Sequence, residues 1–258
     1  MTAPDTLSLT PERCIAYSRI HTLGETAKLP GVVFLGGFRS DMTGTKATWL
    51  EGWARERGRA FLRFDYRGHG QSSGRFEEGC IGDWADDAAE AVSRLTEGPQ
   101  ILVGSSMGGW IALLLARRMP QRIAGIVGIA AAPDFTESIL ASLSDSQRGA
   151  LEAEGSTQIP SYEGEPPIPI TRRLIEDGRE NRVMTGPLPL PFPLRLLQGT
   201  ADEDVPPAVA TRLLDHVACE DARLLLVKDA DHRFSGAREL AILGETLDEI
   251  TRAAGAGP

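Results

Sequence analysis

Residues Gly104-Ser105-Ser106-Met107-Gly108 spell G-x-S-x-G between an apolar run, QILVGS (100–105), and the helix-like WIALLLARR (110–118). A strand-to-helix turn of this kind exposes its central side chain, and glycines two residues away on either side keep clear of strand and helix. The register makes Ser106 the nucleophile rather than Ser105. The plainer alternative is a glycine-rich turn carrying a buried hydroxyl. A serine hydroxyl reacts poorly at neutral pH, so it needs an imidazole to take its proton and a carboxylate to orient that imidazole. Around such a turn the partners follow in the order acid, then histidine, each just past a strand end. Thr200-Ala201-Asp202-Glu203-Asp204-Val205-Pro206 follows PLRLLQG, and Lys228-Asp229-Ala230-Asp231-His232 follows ARLLLV. Of the four histidines, His232 alone follows the last apolar run. His21 and His216 sit in plain polar contexts, and His69, in Arg67-Gly68-His69-Gly70, precedes the nucleophile and is expected to brace the turn after RAFLRFDY. Asp202, three residues beyond Gly199, leads as the acid, with Glu203, Asp204 and Asp231 as rivals. Acyl transfer also needs donors for the oxygen that becomes negative. The Met107 amide, at a helix N-terminus, is one candidate. The Phe38 amide, in Gly36-Gly37-Phe38, is the other, unless that stretch is only a tight turn.

The elements that must position these groups are legible as short apolar runs alternating with helical patterns, the signature of a parallel sheet with helices on both faces. GVVFLGG (31–37), RAFLRFDY (59–66), QILVGS (100–105), IAGIVGIAA (123–131), PLRLLQG (193–199) and ARLLLV (222–227) read as strands buried on both faces. CIAYSRI (14–20) is more amphipathic and belongs near an antiparallel edge. Trp84, Ala88, Val92 and Leu95 recur at helical spacing, as do Leu240, Leu243, Leu247 and Ile250. From about 133 to 191 the rhythm breaks: prolines crowd, no buried strand is evident, and an inserted cap of short helices and loops is expected. Its apolar residues, Phe135, Ile139, Leu140, Leu143, Ile168, Ile170, Leu174 and Ile175, either roof an acyl channel or pack on the core.

The chain of 258 residues is therefore read as one α/β domain spanning 1–258 with a cap insertion. Its 41 % hydrophobic and 24 % charged residues are ordinary globular composition. A net charge of −9 argues against nucleic acid as a partner. Three cysteines, Cys14, Cys80 and Cys219, lack metal-ligand spacing, so no metal is expected, and their odd number suits a reducing compartment. The start, MTAPDTLSLTPER, has neither a basic nor an apolar region, and IAGIVGIAAAP (123–133) is too short to span a bilayer, so a cytoplasmic location is expected.

These residues make the chain similar to the α/β-hydrolase family over about residues 12 to 252. Gly31 to Ala47 with Met42-Thr43-Gly44-Thr45-Lys46-Ala47, then Arg63-Phe64-Asp65-Tyr66, Gly98 to Ser106, and Asp231-His232-Arg233 resemble more narrowly the mammalian mitochondrial abhydrolases that remove palmitoyl groups and cleave acyl glucuronides. The resemblance implies an esterase or thioesterase acting on acyl groups, with no cofactor, and assigns the triad as Ser106, Asp202 and His232. The expected partner is a small-molecule ester or acyl thioester, an S-acylated protein included. Mitochondrial location is not expected to carry over, because the opening residues do not read as the Arg-rich amphipathic stretch of a mitochondrial leader. Two other readings stand beside the esterase: an aminopeptidase or amidase on the same scaffold, and a non-catalytic ligand-binding protein.

Overall fold

The computed structural model describes residues 4–22, 26, 28–161 and 164–255. Residues 162 and 163 of the expected cap, and the first three residues of the N-terminal segment, lie outside them. The strands are β1 (Asp5–Ser8), β2 (Cys14–Ile20), β3 (Gly31–Leu35), β4 (Phe61–Phe64), β5 (Gln100–Ser105), β6 (Ile123–Ile129), β7 (Ser156–Ile159), β8 (Ile168–Thr171), β9 (Leu188–Pro189), β10 (Leu194–Gly199), β11 (Val217–Ala218) and β12 (Ala222–Val227). The helices are α1 (Thr45–Glu56), α2 (Ile81–Leu95), α3 (Met107–Arg118), α4 (Phe135–Ser142), α5 (Asp145–Glu154), α6 (Arg172–Glu180), α7 (Pro207–His216) and α8 (Ala237–Gly255).

Eight strands form the main sheet in the order β1-β2-β4-β3-β5-β6-β10-β12. β1 and β2 pair antiparallel, as do β2 and β4, and every pairing from β4 onward is parallel. Side chains alternate across a pleated strand, and β3 shows the consequence. Val33 and Leu35 join a core with α2 and α3, while Val32 and Phe34 join a second core with α1 and α8. The sheet is thus covered on both faces, which is why its central strands read as unbroken apolar runs.

Two expectations need correction. β12 was expected to be buried on both faces, yet among the described residues it pairs only with β10 and forms the sheet's edge, leaving Leu225 47 % and Leu226 49 % exposed. The antiparallel margin is one strand wider than expected, because Asp5–Ser8 pairs outside β2. Between β6 and β10 the chain forms α4, α5, α6, the antiparallel hairpin β7–β8, and β9, which pairs with β11. The hairpin was not anticipated because β8 carries Pro169 and prolines precede it. This segment is stitched to the body: Asp177 on α6 accepts the Gly82 amide of α2 at 2.7 Å, and the Trp110 indole donates to the Asn181 carbonyl at 3.1 Å. Among the described residues no helix is long and apolar enough to cross a membrane.

Candidate active site

Parallel α/β sheets place their working loops at the carboxyl ends of the strands. Four such loops meet here, after β3, β5, β10 and β12. The turn after β5 holds Ser106 at φ 54°, ψ −117°, a backbone conformation costly for any residue with a side chain. Its amide donates to the Ile129 carbonyl at 2.9 Å, and its carbonyl accepts the Gly109 and Ala132 amides at 2.9 and 3.1 Å. Those bonds fix the strained turn from three sides. The glycines of the motif are required by contact: a Cβ on Gly104 would stand 2.3 Å from the Gly108 carbonyl oxygen, and one on Gly108 would stand 2.0 Å from that of Leu35. Ser106 precedes α3 without capping it through its side chain. Ser105, by contrast, is a buried strand residue paired with Ile129.

Past β12, His232 points Nδ1 at the Asp202 carboxylate, 3.0 Å from Oδ2 and 3.1 Å from Oδ1. A carboxylate only accepts, so Nδ1 carries the proton in the neutral ring and Nε2 keeps its lone pair. Asp202 lies at the end of β10 with a fully buried side chain. Its Oδ1 also accepts the Asp204 and Val205 amides at 3.0 and 2.8 Å, and its Oδ2 accepts the Gln198 amide at 2.8 Å. Burial pushes the Asp202 carboxyl up. The hydrogen bonds from His232, the Val205 amide and Gln198, with the charge of the imidazolium, outweigh it and hold the group below the usual carboxylate range. Of its rivals, Asp204 offers its backbone amide to Asp202, and Asp231 accepts the Phe234 amide at 3.0 Å within the histidine's own turn. Asp202, Asp204 and His232 also bring ligand-type atoms within 4.8 Å of one another. Both Asp202 oxygens, however, are already engaged by protein donors, so the cluster is explained by the hydrogen bonds that orient the imidazole.

Ser106 and His232 line one cavity of about 440 Å³, together with Gly37 and Phe38 from the loop after β3. A Cβ on Gly37 would lie 3.5 Å from the Ser106 Cβ, so this loop passes directly beside the serine. Met107 opens α3, where the first amides have no partner inside the helix. The Phe38 ring is wedged among Phe76, Trp84 and Phe135, at centroid distances of 5.0, 5.8 and 5.3 Å, which anchors the loop.

Three supporting residues escaped sequence reasoning. His69 was expected only to brace its own turn. Its Nε2 accepts the Arg39 amide at 3.3 Å while Nδ1 faces the Arg67 carbonyl at 3.2 Å, so it ties its turn to the residue after Phe38. That pattern requires the neutral ring, and burial lowers its pKa accordingly. Asp65 accepts the Met42 and Gln71 amides at 2.7 and 2.8 Å, joining the same two loops. Lys46, near the start of α1, donates to the Arg233 carbonyl. Each of the three bonds to backbone distant in sequence, a partnership that carries no motif.

The cap residues offered as an acyl channel divide unevenly. Leu143, Ile170, Leu174 and Ile175 are buried in the core, and Phe135, Ile139 and Leu140 pack partly against it. Of the eight, only Ile168 lines the cavity. The rest of the wall mixes the charged side chains of Arg39, Asp41, Lys46, Glu165 and Arg233 with Phe34, Phe38 and Ala47.

The chain belongs to the α/β-hydrolase fold family, whose model matches residues 32–174. It is 35 % identical over 237 residues to the bovine mitochondrial palmitoyl-protein thioesterase ABHD10, covering 92 % of this chain and 76 % of that one. The human protein of the same name is 34 % identical with the same coverage. Among solved structures, a hydrolase from Agrobacterium vitis S4 superposes with a TM-score of 0.90 at 38 % identity, covering 97 % of this chain and 98 % of that one. Mouse α/β hydrolase domain-containing protein 10 gives 0.87 at 33 % identity, covering 96 % and 98 %.

Proposed function

We propose that this ester or thioester hydrolase works through an acyl-enzyme on Ser106, with His232 as base and Asp202 as its orienting acid. The observation that carries the reading is the shared cavity of Ser106, strained at φ 54°, and His232, whose Nδ1 sits 3.0 Å from Asp202. His232 Nε2 takes the hydroxyl proton as Ser106 Oγ attacks the acyl carbonyl. The amides of Met107 and Phe38 donate to the oxygen that becomes negative. The imidazolium then returns the proton to the departing alkoxide or thiolate. Water repeats the sequence on the acyl-enzyme and releases the carboxylic acid. No step calls on a cofactor or metal. The substrate is a small-molecule ester or an acyl thioester, S-acylated protein included, a class supported by the named activity of the ABHD10 relatives.

The test is hydrolysis of p-nitrophenyl esters and acyl thioesters from acetyl to palmitoyl. Turnover of both series is expected, with kcat/KM rising along the series by at most about 0.8 kcal/mol per methylene buried. Ile168→Ser is expected to lower the long-chain values more than the acetyl value, since Ile168 is an apolar cap side chain at the cavity wall. Absence of turnover on every ester and thioester, in protein that still cleaves an amide, would overturn the substrate class.

A second expectation concerns the oxyanion loop. His69→Phe keeps the aromatic packing but removes the acceptor for the Arg39 amide. Losing one such bond costs about 1 kcal/mol, or roughly fivefold in kcat if the loop carries a transition-state donor. Steady-state kinetics on a short ester, alongside the Tm, checks it: an unchanged kcat would separate the loop from the chemistry.

The one-domain organisation with a cap over about 133–191 and a cytoplasmic location complete this proposal. The location stands against relatives whose names place them in mitochondria, and fractionation of the native cells decides it.

A further inference from the structure

The turn that carries His232 is tied to the body through several elements. Asp229 and Phe234 both have positive φ, 62° and 46°, so the backbone is strained on either side of the imidazole. Within the turn the Asp231 carboxylate accepts the Phe234 amide, and from outside Thr200 accepts the Asp229 amide at 2.9 Å. The Ala201 amide donates to the Ala230 carbonyl at 3.0 Å, and a further tie comes from another element: Lys46 Nζ, near the start of α1, donates to the carbonyl of Arg233, the residue that follows the histidine. Lys46 lines the same cavity as Ser106 and His232.

We propose that Lys46 is a positioning residue for His232, its ammonium clamping the strained turn so that the imidazole keeps its place in the cavity it shares with Ser106. The proposal rests on the reading of Ser106 and His232 as nucleophile and base. A charged donor holds a carbonyl about twice as strongly as a neutral one, so the clamp depends on the protonation of Lys46. Burial brings the Lys46 ammonium down from the ordinary lysine range to about 8, with Asp231 opposing the shift and Arg233 adding to it. The other charged or titratable groups facing the same cavity are Arg39 and Asp41 after β3, Glu165 from the cap, and His232 itself. Below about 8 the ammonium holds the turn. As the pH rises through that value the clamp weakens, and kcat acquires an alkaline limb.

The experiment is kcat for p-nitrophenyl acetate between pH 6 and 10, corrected for spontaneous hydrolysis, on the wild type, Lys46→Met and Lys46→Arg. The substrate is neutral, so loss of an anion contact does not mimic the effect. The wild type is expected to lose kcat above about pH 8. Lys46→Met is expected to lose about 10- to 100-fold in kcat, with KM little changed and no alkaline limb, the scale on which a misplaced catalytic group reduces rate. Lys46→Arg, whose guanidinium stays charged throughout, is expected to recover most of the kcat and to keep it at pH 9. Circular dichroism and Tm show whether Lys46→Met folds, and where it does not, the comparison of arginine with lysine carries the test alone. Full kcat in Lys46→Met, an alkaline limb unchanged by arginine, or a loss confined to KM would overturn the clamp. Fluorophosphonate labelling of the wild type separates the two levels. Adduct on Ser106 with unchanged pH profiles removes only the role of Lys46, whereas absence of adduct on Ser106 removes the serine reading beneath it.

Discussion

Replacing Ser106 with alanine is expected to reduce turnover on the order of 10⁶-fold, because a nucleophile and its base act as one unit and the loss of either removes nearly all of their joint effect. Ser105→Ala is expected to leave most of the activity. Both serines border the cavity, but on different backbones: Ser105 is a buried residue at the end of β5, while Ser106 is half-buried and occupies the positive-φ turn beside Gly37. Steady-state rates on an ester, with peptide mass spectrometry of the fluorophosphonate adduct, provide the check. Adduct on Ser105, or an active Ser106→Ala variant, would refute the assignment.

Asp202→Asn is expected to reduce kcat by about 10⁴-fold, the size of the effect when an amide reverses the tautomer of a catalytic imidazole. Asp204→Asn and Asp231→Asn are expected to retain most activity, since the first contributes its amide to Asp202 and the second closes a turn. The same substitution has a signature in stability. The Asp202 carboxyl lies below its ordinary range in the folded protein, so its hydrogen bonds stabilise the fold above the pKa of the unfolded carboxylate. That contribution is lost as pH falls through the lowered folded value. Acid titrations of Tm in wild type and Asp202→Asn should therefore differ most at neutral pH and converge in acid. If Asp204→Asn were the crippled variant, the orienting acid would have to be reassigned two residues along the turn.

The parts of this molecule that were legible in its sequence are those where one local rule acts. Two-sided burial made β3, β5, β6 and β10 readable as apolar runs, and steric exclusion of side chains made the glycines flanking Ser106 readable as an elbow. Where burial is incomplete the reading fails: β12 has the composition of a central strand and lies at the edge, because composition does not reveal how many neighbours a strand has. The helix α1 was not anticipated either. Its core contacts, Ala47, Leu50, Trp53 and Ala54, are interleaved with threonine, glycine and charged residues that blur the periodicity. The supporting bonds of His69, Asp65 and Lys46 leave no trace in composition or spacing, since each reaches backbone that the fold alone brings near.

The order of the sheet also has a consequence for synthesis. The serine turn and both proposed oxyanion donors belong to the strands up to β6, whereas Asp202 and His232 follow β10 and β12. β6 and β10 are parallel neighbours, pairing Ile126 with Leu194 and Ile129 with Leu197, yet residues 130–193 lie between them in the chain. Closing so long a loop costs entropy before any pairing is gained, and a growing chain presents its N-terminal part first. The ribosome thus releases a serine elbow long before it releases the proposed base. On the proposed triad, ester-cleaving activity is expected to appear only when the last two strands have docked, which would make its onset a clock for the completion of the sheet.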